Sequence, residues 1–248
     1  MDYKLVICIY GCVTIDRYKK EIETINNTWG KLCKESMGMK LLYFLGEERC
    51  VEYESEEYIY LSGVKNDYLS ASYKQLLGLK YIKENYNTEY VLCCGTDTYI
   101  NIPKLMLFID KFNHNENLYI GGHGCHRQIG DETYYFHSGG PGFVITQNCL
   151  DELYPLLINI MNDWIQVCER NNILYLIPAC DVAISYYLQR DVKVNIIKED
   201  NSFIHCNYMG IPCHKDCTDM SKIVSCHNMS IDDFNNFTAI LEDKKYFV

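Results

Sequence analysis

Short runs in which every position is apolar alternate along this chain with longer stretches in which apolar residues recur every three or four positions. Leu5 to Ile9 (LVICI), Leu41 to Leu45 (LLYFL), Tyr58 to Leu61 (YIYL) and Tyr90 to Cys94 (YVLCC) are of the first kind. A strand covered on both faces has no polar alternation, so each run predicts a buried β-strand. Tyr18 to Thr28, with Ile22 and Ile25 at helical spacing, predicts a helix leading to Trp29-Gly30. Tyr68 to Tyr86 predicts a long amphipathic helix with Leu69, Tyr73, Leu76, Leu77 and Tyr81 on one side. Pro103 suits the first residue of a helix running to about Lys111, where its missing N–H has no partner to lose.

The second half is less regular. Gly121-Gly122-His123-Gly124 and Ser138-Gly139-Gly140-Pro141-Gly142 are glycine-dense loops between strand-like residues. A helix is expected after Thr146 and another from about Asp181 to Gln189. Ser230 with Asp233 three residues on has the form of a helix N-terminal capping box. No repeat or low-complexity linker divides residues 1–248, so one domain is expected. Alternating strands and helices predict an α/β sheet with crossover helices.

Composition narrows the function. With 23 basic against 33 acidic residues and a net charge of -10, the chain has no dense basic patch for gripping nucleic acid. The N-terminus carries only a five-residue apolar run, too short for a secretory signal or a membrane span. The expected compartment is therefore the cytoplasm, or the Golgi or ER lumen if an anchor has been removed. In the first case most of the 14 cysteines are expected to be reduced, buried, small apolar residues. Asn26, Asn228 and Asn236 begin glycosylation sequons.

Four places carry candidate chemistry. Asp97, in Gly95-Thr96-Asp97-Thr98, follows a buried strand, and in α/β sheets ligands bind beyond the carboxyl ends of strands. Its carboxylate suits a hard divalent cation, Mg²⁺ or Mn²⁺, beside a diphosphate; a turn or cap role is the alternative. The glycines of 138–142 admit close approach of a ligand to the backbone, or simply form a tight turn. Asp181 is either a helix cap or a general base in a largely apolar pocket. His205, Cys206, Cys213, His214, Cys217, Cys226 and His227 permit a zinc site, although their spacing matches no ordinary finger; disulfides and core cysteines are the other readings.

Taken in order, these motifs resemble glycosyltransferase family 31, in its core 1 β1,3-galactosyltransferase and Fringe-like branch. The best stretch is Asn66 to Ile102, similar to the family's Leu- and Lys-bearing helix, aromatic-led strand and Asp-rich turn. Arg17, Thr28-Trp29, Phe44-Leu45-Gly46, Tyr119 to Gly122, Gly139 to Phe143, Cys180-Asp181-Val182 and Ile223 to Met229 resemble further family blocks, so the likeness runs from about Tyr3 to Leu241.

The resemblance implies a single-domain GT-A type (Rossmann-like) fold. It implies inverting transfer of a hexose or N-acetylhexosamine from a UDP-sugar to a glycan or glycoprotein hydroxyl, in a β1,3-type linkage. It further implies Mn²⁺, or Mg²⁺, held by Asp97 and His227, with His205 as a reserve ligand. Asp181 becomes the base, and Arg17, Lys74 and Thr96 become donor-side contacts. The loop from His123 to His137 is the candidate acceptor side. The family turn usually carries three acids and this one carries only Asp97, while Cys180 replaces the first acid at the base site. The acid-poor turn motivates an alternative, a weakened or inactive nucleotide- or glycan-binding module on the same fold. A zinc-stabilised interaction protein is the third reading.

Overall fold

The structure, a computed structural model, describes residues 2–205, 207–208, 211–212 and 223–243. In chain order the first half runs β1 (Asp2–Tyr10), α1 (Asp16–Asn27), α2 (Trp29–Glu35), β2 (Met39–Leu45), β3 (Tyr58–Tyr60), α3 (Tyr68–Asn85), β4 (Asn87–Cys94), β5 (Thr98–Ile100) and α4 (Ile102–Ile109). The second half runs β6 (Leu118–Gly121), β7 (Cys125–Ile129), β8 (Glu132–Phe136), β9 (Phe143–Thr146), α5 (Gln147–Leu157), α6 (Ile160–Arg170), α7 (Cys180–Tyr187), β10 (Asn195–Lys198), β11 (Phe203–His205), β12 (Asn207–Tyr208), β13 (Ile211–Pro212), β14 (Ser225–His227) and α8 (Ile231–Asp243).

The main sheet has seven strands in the order β10-β6-β9-β4-β1-β2-β3. All neighbours are parallel except β9, which runs antiparallel to both β4 and β6. The fully apolar runs form its centre because helices cover both faces. Along β1, Leu5, Ile7 and Ile9 face one core with Trp29, Leu105 and Phe234, while Val6 and Cys8 face the other with Leu79, Leu150 and Trp164. Side chains alternate across a strand, so two cores on two faces require apolar residues at every position. A small sheet, β11-β14-β5, lies beyond the end of β4.

Several expectations are corrected in detail. The first helix does not end at Trp29-Gly30; the chain breaks at Thr28 and restarts as α2. Gly30 permits this, since a β-carbon there would stand 2.6 Å from the Ile25 carbonyl oxygen. The buried face of α3 follows the Leu69–Tyr81 stripe only in part: Leu76 is buried and Tyr73 and Tyr81 pack against the core, but Leu69 is exposed, and Ser70, Ser72, Lys74, Gln75, Gly78, Leu79 and Ile82 are buried as well. This helix is packed by the sheet as well as by α5 and α7, so more than one stripe is covered. Pro103 is the second helical residue of α4, behind an Asn101 cap that accepts from the Lys104 amide. Asp181 lies in the first turn of α7 rather than at its cap, and that helix continues as a π-turn over Leu188–Val192. The Ser230–Asp233 box caps α8 through reciprocal bonds of 2.9 and 3.2 Å.

Among the described residues the cysteines are free thiols, most of them buried. Cys206, Cys213, His214 and Cys217 of the zinc reading lie outside the described residues. No helix among the described residues is long and apolar enough to cross a membrane.

Candidate active site

The carboxyl ends of β1 and β4 open into a cavity of ≈ 540 Å³. Arg17, Lys74, Thr96, Asp97, Asp181 and His227 all line it, together with Tyr10, Asn66, Tyr68 and Pro178. The six residues expected to bind donor, hold metal or act as base are therefore brought together. No lining residue comes from 123–137. The hairpin β7–β8 packs instead on α7, where Ser185 Oγ donates to the Tyr135 carbonyl at 2.8 Å.

Asp97 sits in the turn between β4 and β5, and His227 ends β14. Strands β5 and β14 pair antiparallel with Thr98 opposite His227, so the register delivers the imidazole to the carboxylate. His227 Nε2 lies 3.3 Å from Asp97 Oδ1, and the Met229 amide holds the Asp97 carbonyl at 3.2 Å. Burial pushes the Asp97 carboxyl up, but the hydrogen bond and charge of His227, with the charge of Arg17, outweigh it and hold the group below its ordinary value. Behind His227, its Nδ1 is 2.9 Å from His205 Nδ1, and His205 Nε2 is 3.1 Å from Ser138 Oγ. His205 thus backs His227 and does not line the cavity.

The pair fits a divalent cation in donor type and in spacing. Asp97 Oδ1 and His227 Nε2 belong to residues that line the cavity and stand 3.3 Å apart, a spacing that one cation with bonds of about 2.1–2.2 Å could bridge. No group of three or more His, Cys, Asp or Glu side chains gathers among the described residues.

Asp181 is held by two backbone amides, Gly139 N to Oδ2 and Val182 N to Oδ1, each at 2.9 Å. Burial raises its pKa above the ordinary carboxylate value, against the pull of those two bonds. The glycine loop lets Asp181 and the imidazole approach successive positions of one backbone segment. A β-carbon at Gly139 would meet Asp181 Cβ at 3.1 Å, and one at Gly140 would lie 2.4 Å from His227 Nδ1. The close approach made here is by the protein's own side chains. Gly142, with φ +83, adds the turn.

The cations are differently placed. Lys74 is 4% exposed and donates to Gly11 O at 2.7 Å and Asn66 Oδ1 at 2.8 Å, and burial lowers its pKa. Arg17 is largely exposed; its Nε donates to Glu21 Oε1 at 2.8 Å, and its NH2 is 3.8 Å from Asp97 Oδ2. Thr96 Oγ1 donates to Glu21 Oε2, a carboxylate that does not itself line the cavity. Glu21 was not legible as a site residue: its only signal is an i, i+4 spacing from Arg17, shared by many surface pairs. Asn66 and Tyr68 sit at the start of α3 without a motif of their own.

The sequence model of the Fringe-like family matches residues 10–240. No curated protein matches the chain by sequence. Among solved structures, the chain is similar to a glycosyltransferase involved in the glycosylation of the major capsid of PBCV-1, at 13% identity and a TM-score of 0.51, covering 95% of this chain and 99% of that one. It is also similar to the glycosyltransferase GlyE of Streptococcus pneumoniae TIGR4 in its apo form, at 13% identity and a TM-score of 0.54, covering 99% of this chain and 63% of that one. At these identities the likeness speaks to the fold, which is of the GT-A type.

Proposed function

The chain belongs to the Fringe-like family of glycosyltransferases, and from that premise we propose that it moves a hexose or N-acetylhexosamine from a UDP-sugar to a glycan or glycoprotein hydroxyl, with inversion and in a β1,3-type linkage. One observation carries the reading: successive glycines, Gly139 and Gly140, seat Asp181 and the His227–Asp97 pair against the same loop in one cavity. A single displacement needs a base for the incoming hydroxyl and a charge-stabilised leaving group in one fixed geometry.

Asp181 takes the acceptor hydroxyl's proton as the oxygen attacks the anomeric carbon. Its two amide bonds aim the carboxylate, and its burial brings its basicity nearer the working range. Arg17 offers the cavity a largely exposed guanidinium, suited to a diphosphate oxygen. Lys74 adds fixed positive charge at the cavity wall while its donors tie Gly11 and Asn66 in place. Asp97 and His227 would hold Mn²⁺ or Mg²⁺, which supplies Lewis-acid stabilisation of the departing diphosphate.

The test is release of UDP from UDP-Gal, UDP-GlcNAc, UDP-GalNAc and UDP-Glc with and without Mn²⁺. Turnover of one donor, lost in Asp181→Asn, supports the reading. If neither UDP nor any of these donors shifts the melting temperature with Mn²⁺ present, the reading falls. Binding without turnover of any donor would instead identify a nucleotide-binding module on this fold.

A further inference from the structure

Glu21, on α1 one turn after Arg17, is only 6% exposed and does not line the cavity. A carboxylate so buried needs charged or hydrogen-bonding partners to offset its lost hydration. It finds them in two residues of the site: one oxygen accepts from Arg17 Nε and the other from Thr96 Oγ1. Arg17 consequently stands between two acids. It is bonded to Glu21, and its NH2 stays 3.8 Å from Asp97 Oδ2, outside hydrogen-bond distance.

Guanidinium groups favour two-point contact with carboxylates, and Asp97 is the other carboxylate within ion-pair reach of Arg17. Bound there, Arg17 would neutralise the charge that a divalent cation requires. The turn has no second acid of its own to take over, since it reads Gly95-Thr96-Asp97. We propose that Glu21 is a positioning residue: by binding Arg17 and Thr96 together, it keeps the guanidinium from closing onto Asp97 and leaves that carboxylate open to the cation. The proposal rests on reading Asp97 and His227 as the cation pair. It also gives the acid-poor turn a carboxylate supplied from a different element.

The experiment combines a crystal structure of Glu21→Gln with Mn²⁺ titrations followed by electron paramagnetic resonance of the free ion. Four proteins are compared: wild type, Glu21→Gln, the double variant Arg17→Met with Glu21→Gln, and Asp97→Asn. In Glu21→Gln, Arg17 is expected within hydrogen-bond distance of Asp97, and Mn²⁺ affinity is expected to fall about fivefold or more. Removing the arginine as well should bring the affinity back to within about twofold of wild type. A Glu21→Gln structure with Arg17 still clear of Asp97 overturns the proposal, and so does an unchanged Mn²⁺ affinity. A double variant that stays weak also overturns it, since the loss would then come from a damaged fold. Wild-type protein that binds Mn²⁺ no better than Asp97→Asn overturns the cation reading itself, and the role of Glu21 with it.

Discussion

Gly140 and His227 are in such close contact that a β-carbon on the glycine would stand 2.4 Å from the imidazole Nδ1. The clash would be at the same Nδ1 that meets His205, on a ring whose Nε2 meets Asp97. Gly140→Ala should therefore push His227 off Asp97 while leaving Asp181 in place. Mn²⁺ affinity is expected to fall by at least about tenfold, a loss read by the same titration, and far-ultraviolet circular dichroism should be unchanged. Unaltered Mn²⁺ binding in this variant would show that His227 is not a ligand.

Asp181→Asn removes the proposed base and keeps the shape. Transferase activity should fall by about 10²–10⁴-fold. In the wild type, activity should drop as pH falls through the raised pKa of Asp181, because only the ionised group accepts a proton. Stability carries the opposite sign. A folded-state pKa above the unfolded one means that the folded chain holds the proton more tightly. That contribution is complete below the unfolded pKa and is lost as pH rises through the folded one. The melting temperature of Asp181→Asn should thus gain on wild type as pH rises above the ordinary carboxylate range, and a gap that shrinks instead would contradict this sign.

Lys74→Met tests the buried ammonium. The methionine fills much of the same volume but strands the Gly11 carbonyl and Asn66 Oδ1. Leaving buried acceptors without donors costs about 1–3 kcal/mol, which urea denaturation can measure. Donor affinity should fall as well, since Lys74 lines the cavity proposed to take the donor. Full stability in this variant would show that the two bonds contribute little.

Gly78→Ala separates packing from helix propensity. In an exposed helix the change gains about 1 kcal/mol. Here the new methyl would stand 2.9 Å from the Phe44 ring and 3.0 Å from Cys8 Sγ, both fully buried. Overpacking of that kind costs about 1–3 kcal/mol, so a net loss of stability is expected. A stabilised variant would mean that α3 can lift off the sheet at little cost.

The central strands were readable because burial on both faces leaves a continuous apolar run, as in Leu5 to Ile9 and Tyr90 to Cys94. Strands β5 and β14 were not. Each is three residues long, and they meet only through pairing of segments far apart in the chain. The break at Thr28 escaped notice because helical spacing continues through it. Asp97, Asp181 and His227 stood out through their motif surroundings, and the fold gathers them in one cavity. Glu21 did not stand out: its importance comes from depth and from two partners, neither of which shows in a row of letters.

All seven strands of the main sheet lie before residue 199, while His227 arrives on β14, in the separate small sheet. The order of synthesis therefore divides the protein in time. A nascent chain that has emerged through β10 already contains Arg17, Lys74, Asp97 and Asp181, together with every strand of the main sheet. It has no imidazole beside Asp97 until the C-terminal segment follows. Docking of β14 against β5 is the event that brings His227 to Asp97, so the pair forms only after the whole main sheet has been synthesised.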